Sequence, residues 1–233
     1  MKAIFKREFT SYFSSSIGFA YLAVFLFFSG LFFYNILLMN RADLTPLFGS
    51  MSVIALIVIP LLTMKLFSEE KKQKTDQALL TAPVSLSGIV LGKYFAALLV
   101  YALGLCINLV FGFVLSGFAN PEWMVIIGNI LGMLFLGAAL IAVGTFISSL
   151  TESQVIAAVI NFAVSLVMIL LDTLSMQIPV PFISTLIGWI SFGARMIPFS
   201  MGILNYANMI FFASVAAVFL FLTTRILDRR RWS

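Results

Sequence analysis

The sequence predicts an all-α integral membrane protein with six transmembrane helices, and three observations carry that prediction. Of 233 residues, 62% are hydrophobic and 10% charged, well below the roughly 25% charged residues of globular domains. Six uncharged stretches are long enough to cross a hydrocarbon layer, where a helix satisfies its own backbone and about 20 apolar residues span the thickness. Lys and Arg collect on one side of the topology that these stretches define.

The elements follow in order. Met1, Phe5, Phe9, Tyr12 and Phe13 fall on one helical face, while Lys2, Lys6, Arg7 and Thr10 lie mostly elsewhere. This pattern predicts an N-terminal interfacial amphipathic helix over residues 1–16. A basic start before an apolar run resembles a signal peptide. The run Ile17–Met39, however, is 23 uncharged residues long, beyond the 7–15 of a signal core, and is read as a retained first span. The other spans are Leu44–Met64, Tyr94–Ala119, Trp123–Leu150, Ser153–Leu171 and Tyr206–Thr224. The third and fourth exceed what a bilayer requires and can tilt. Pro60 is expected to kink the second.

With the N-terminus in the cytoplasm, twelve cations lie inside: Lys2, Lys6, Arg7, Lys65, Lys71, Lys72, Lys74, Lys93, Arg225, Arg229, Arg230 and Arg231. Two, Arg41 and Arg195, lie outside. The positive-inside rule then places both termini in the cytoplasm, which demands an even number of spans. Residues 172–205 are rather apolar, but a seventh span there would put the Arg229–Arg231 cluster outside. Pro179, Pro181 and Pro198 interrupt the segment, and Phe182–Ala194 offers only 13 uncharged residues. It is read as an external cap of short re-entrant helices between spans 5 and 6. The whole chain, 1–233, is read as one domain.

Composition excludes several chemistries. The chain has no histidine and one cysteine, Cys106. His-based acid–base catalysis and most zinc or copper sites are thereby disfavoured, and no disulfide can form within one chain. The net charge of +5 is explained by topology and is not read as nucleic-acid binding. Gly88–Tyr94 resembles a P-loop but has three residues between its glycines, and Tyr follows the Lys. The motif needs four residues and a Ser or Thr, so ATP binding by this chain is not expected.

One long charged segment stands out, Phe67–Pro83 between spans 2 and 3. Glu69, Glu70, Lys72 and Lys74 are spaced for helical pairing, Ser68 is read as an N-cap with Lys71 at N3, and Pro83 as the stop. A short charged helix over 68–83 suits a soluble partner. A plain solvated loop is the alternative.

Several segments resemble the ABC-2 family of permease subunits, and within it the gliding-motility-associated type. They are Pro60–Lys65, Glu69–Lys72 with Thr75, Leu79–Ser85, Ile89–Tyr94, Gly144–Gln154, Phe199–Gly202 and Arg225–Trp232, preceded by Lys6–Phe9 and Tyr12–Ser16. The resemblance implies a subunit of the bacterial cytoplasmic (inner) membrane that pairs with a second permease copy or paralogue, surrounded by membrane lipid. Beneath the pair sit cytoplasmic ABC ATPase subunits, which hold the ATP and Mg; this chain itself has no cofactor. It also implies that 68–83 is a cytoplasmic coupling helix. ATPase-docking residues would be Ser68, Glu69, Glu70, Lys71, Lys72, Thr75 and Gln77, with Glu152 in a second contact. The family commonly has Gly where this chain has Lys74, and Glu where it has Gln77.

Polar residues within spans are rare and invite a substrate-path role, here Asn108, Asn129 and Asn161. Interhelical hydrogen bonding is the plainer reading. Asp172 is placed at the outer interface, and Gly128-x-x-x-Gly132 permits close helix packing. Two other functions are less well supported by the sequence. An intramembrane hydrolase would lack a His and a pair of acids within the spans. A passive channel or scaffold would lack rings of charge.

Overall fold

The structure, a computed structural model, describes residues 1–75, 77, 84–177 and 188–231. Among these residues it is all helical. An N-terminal helix, α1 (Lys2–Ser14), turns at Ser15 into α2 (Ser16–Leu38). Then come α3 (Thr45–Thr63), α4 (Lys65–Lys72), α5 (Leu86–Ser116), α6 (Trp123–Leu150), α7 (Gln154–Gln177), α8 (Phe192–Ser200) and α9 (Tyr206–Arg231). Among the described residues six helical segments are long and apolar enough to cross a membrane, and each overlaps one of the six predicted spans.

The centre of the bundle is α6. In its most apolar window 67% of residues are buried, against 17% in α7 and 22% in α9, so α6 is core while α7 and α9 turn broad apolar faces outward. Helices approach α6 through its glycines. A Cβ on Gly137 would strike the ring of Tyr101 from α5, and one on Gly144 would strike Thr63 of α3 and Asn161 of α7. The Gly128-x-x-x-Gly132 pair receives the end of α8: a Cβ on Gly128 would lie 2.8 Å from the Phe199 carbonyl, and one on Gly132 2.8 Å from the Phe199 side chain. That packing face is therefore occupied by the chain's own cap helix. α8 closes with Gly202 at φ +73, a left-handed residue that lets the Ile203 N–H reach back to the Pro198 carbonyl at 2.9 Å.

Four expectations change. α1 does not lie only on the surface: one stripe of it enters the bundle. Ile4, Glu8 and Tyr12, spaced i, i+4, i+8, are buried against the bundle, and Phe5, Phe9 and Phe13 form a half-buried ladder beside them. The second predicted span ends at Met64 as expected, with Pro60 inside α3, but a new helix, α4, follows at once from Lys65. The cause is Ser148 of α6: its hydroxyl accepts the N–H of Phe67 (3.0 Å) and of Ser68 (3.2 Å) and donates to the Met64 carbonyl (3.0 Å). A side chain inserted into the helical ladder in this way breaks it.

The third change concerns α5, which starts at Leu86, well before Tyr94. Ser85 caps it by accepting from the Gly88 N–H at 3.3 Å, and this carries Lys93 into the helix. The fourth is that no single helix covers 68–83. Ser68 lies inside α4 with its hydroxyl on the Met64 carbonyl, so it is not an N-cap. α4 ends at Lys72, and Lys74 sits at φ +56. Asp76 and residues 78–83, with the predicted stop at Pro83, fall outside the described residues, as do 178–187 of the predicted cap.

Candidate functional site

The polar residues of one end of the bundle converge where α1, α4 and the base of α5 meet. Lys93 is 1% exposed although it carries a formal charge. Its ammonium sits 3.1 Å from Glu8 of α1 and 3.1 Å from Glu70 of α4, and donates to the Leu66 carbonyl at 2.7 Å. Arg7 completes the cluster, 2.7 Å from Glu8 and 2.5 Å from Glu70. Two cations and two carboxylates make a neutral knot, as burial requires. Its parts are unequal. The Arg7 side chain is 53% exposed, so its pairs contribute little, whereas Lys93 holds the two carboxylates from inside. Burial alone would lower the Arg7 pKa, but Glu8 and then Glu70 raise it on balance.

Two further ties join this knot to the membrane helices. Lys65 donates to Ser15 Oγ at 2.7 Å, and its ammonium lies 4.6 Å from the Tyr12 ring centre. Tyr12 donates to the Leu62 carbonyl at 2.8 Å. Burial first, and then the charge of Glu8, push its phenol well above the ordinary tyrosine value. On the other flank Lys71 donates to the Ser149 carbonyl, one of the last carbonyls of α6, where a cation is favoured by both hydrogen bonding and the helix dipole. α1, α4, the base of α5 and the end of α6 thus form one braced platform.

The chain matches the family described as ABC-2 family transporter protein over residues 17–223, from the start of α2 into α9. The chain belongs to the ABC-2 family. A search of curated proteins finds no match. As an ABC-2 permease it is a multi-pass membrane transport component, of a kind that partners an ABC ATPase subunit. The match begins after α1, so half of the polar knot, Arg7 and Glu8, stands outside the matched residues.

In this ABC-2 permease the sequence-predicted docking residues separate into two groups. Ser68 and Lys71 are buried, and Glu70 is turned into the knot. Lys72, Thr75, Gln77 and Glu152 are exposed, and Glu69 is half-buried. Lys74 has a left-handed φ, which favours glycine, so lysine is tolerated there at a cost. Sequence reasoning missed Glu8, Lys93 and Ser148. For Glu8 a signal existed, since it is the only acid before Asp43 and shares a helical stripe with Ile4 and Tyr12.

The intramembrane asparagines are separated too. Asn161 of α7 donates to Thr63 Oγ1 of α3 at 2.9 Å, and Asn108 of α5 accepts from Ser29 of α2 at 2.8 Å. The Asn108 amide nitrogen, Nδ2, is buried without a hydrogen-bond partner among the described residues, as is the Tyr21 hydroxyl. Asn129 bonds only within its own helix, Nδ2 to the Val125 carbonyl at 2.8 Å. At this far end Asp172 accepts from Ser191 Oγ (2.6 Å) and from the Gly193 N–H (3.0 Å), tying α7 to the start of α8. Arg195 of α8 donates to the Trp189 carbonyl and to Asn208, and lies 3.8 Å from the Phe211 ring centre.

Proposed function

We propose that this permease is the membrane subunit of an ATP-driven exporter of the bacterial cytoplasmic membrane, related to the gliding-motility-associated type. Two permease subunits pair in the membrane, and separate cytoplasmic ATPases, which hold the ATP and Mg, bind beneath them. Both chain ends lie on the ATPase side, as the twelve-to-two distribution of Lys and Arg supports. The observation that carries the coupling role is the braced platform. A short exposed stretch, Lys72 to Thr75, projects from a helix whose inner face is locked to α1, α5 and α6. A push on that stretch reaches α1 and the transmembrane helices α5 and α6 through charge-paired, close-packed contacts, which favours rigid-body switching over local bending.

In this reading the ATPase touches Glu69, Lys72, Thr75 and Gln77, and Glu152 at the α6–α7 link. Ser68, Glu70 and Lys71 act behind that surface as positioning residues. The test is purification of the intact permease from its native membrane in a mild detergent. An ABC ATPase is expected to accompany it, and Lys72→Glu with Thr75→Glu is expected to release the ATPase while the permease keeps its melting temperature. Absence of any ATPase from the native complex would overturn the reading.

A further inference from the structure

An open cavity of about 380 Å³ lies at the end of the bundle opposite the platform, lined by α3, α6, α7 and α8. It is at the small end of the range for small-molecule sites. Leu56, Leu136 and Met196 contribute to its apolar wall. Its polar groups share one property. The hydroxyl protons are already committed: Ser52 to the Phe48 carbonyl at 2.9 Å, Thr173 to the Ile169 carbonyl at 3.0 Å, Ser200 to the Ile197 carbonyl at 2.7 Å and Thr45 to Asp43 at 2.6 Å. What these side chains leave available is oxygen lone pairs.

Asn129 lines the same cavity, is 1% exposed, and its Oδ1 receives no hydrogen bond from any described residue. Asp172 is also in the lining, its carboxylate held by Ser191 and Gly193, and no Lys or Arg is among the described lining residues. Arg195, beside Met196 in sequence, is turned onto the Trp189 carbonyl and the Phe211 ring. An acceptor that lines the chamber and receives no donor is open to a ligand, and an apolar chamber whose free polar atoms are acceptors is complementary to a ligand that brings donors.

We propose that this cavity binds a cationic amphiphile, an alkyl chain bearing an ammonium or comparable N–H group. The alkyl part lies along the apolar wall and the N–H donors reach Asn129 Oδ1 and the Asp172 side of the chamber. Anionic amphiphiles are excluded by the carboxylate and by the absence of a lining cation. That the ligand is cargo rests on the exporter reading above; that the cavity binds it does not.

The test uses the full-length protein in nanodiscs of zwitterionic lipid, with a diazirine-bearing dodecylammonium as photoprobe. Crosslinks are expected within Ile169–Thr173 and Phe192–Ser200, competed by dodecylammonium and not by dodecanoate. Gly49→Phe is the plugging variant. Gly49 lines the cavity and a Cβ there meets nothing within 4 Å, so the fold should tolerate the change while labelling falls at least about tenfold. Asn129→Leu should weaken labelling about tenfold, the share of roughly one hydrogen bond. Equal competition by dodecanoate, labelling spread evenly over the outward helix faces, or unchanged labelling in Gly49→Phe would each overturn the site. ATPase association is scored on the same preparation. Specific labelling without an ATPase removes the exporter reading and keeps the site; an ATPase without specific labelling removes the site alone.

Discussion

Lys93 is the residue on which the platform turns. Its removal leaves Glu8 and Glu70 facing each other in a buried setting, and breaking such a cluster from one side costs on the order of 3–5 kcal/mol. Lys93→Met is therefore expected to lower the melting temperature in detergent sharply. Combining it with Glu8→Gln and Glu70→Gln should recover most of the loss, because the one charge then left is Arg7, whose side chain is 53% exposed and solvated. Lys74 makes the opposite prediction. At φ +56 a side chain costs about 1 kcal/mol or more relative to glycine, so Lys74→Gly should raise hydrogen-exchange protection at the end of α4. Tyr12 supplies a pH dependence. Its phenol is raised well above the usual value, so the fold favours the neutral form. The stability it contributes is complete below about pH 10, where an unfolded tyrosine ionises, and is lost as pH climbs from there through the raised value. Tyr12→Phe should melt lower at pH 8 by the loss of one hydrogen bond, yet fall less than the parent protein between pH 8 and pH 11.

At the scale of elements, α6 sets the spacing of the bundle through its glycines. An added Cβ at Gly144 would stand 2.3 Å from Thr63 Oγ1 and 2.5 Å from Asn161 Nδ2. Gly144→Ala is thus expected to destabilise by about 1–3 kcal/mol, the usual cost of forced overpacking. The double variant Gly144→Ala with Asn161→Ala should regain part of that, read as melting temperature. The same region shows what was legible in advance. The six spans could be read from length and charge alone, because lipid imposes one requirement on every residue of a span. The end of α4 could not. Helical spacing of Glu69, Glu70, Lys72 and Lys74 is a local pattern, and the helix stops at Lys72 although that pattern continues. Its beginning was equally hidden, since a hydroxyl eighty-odd residues away, Ser148, interrupts the ladder. The charge knot failed for a related reason: Glu8 and Glu70 are ordinary surface residues until the fold brings Lys93 between them. Asn161 and Asn108 were legible as buried polar groups, but only tertiary packing names Thr63 and Ser29 as their partners.

For the whole molecule, the topology makes a direct prediction. In a Cys106→Ser background, a membrane-impermeant maleimide applied to intact cells should label Asn40→Cys and Glu122→Cys. Lys2→Cys and Lys74→Cys should react only after lysis. The reverse pattern would invert the protein and remove the platform from the ATPase side. One feature of the bundle bears on how it could move. α7, the least buried of the spans, is fastened by polar contacts at two heights: Asn161 to Thr63, and Asp172 to Ser191 and Gly193. Two pins on one rod define an axle. Sliding α7 along its length would shear both pins together, whereas a small turn about the line joining them strains neither. The outer pin lies on the rim of the acceptor-lined chamber, so a rotation of that rod would alter the mouth of the chamber while the rest of the bundle stayed in place.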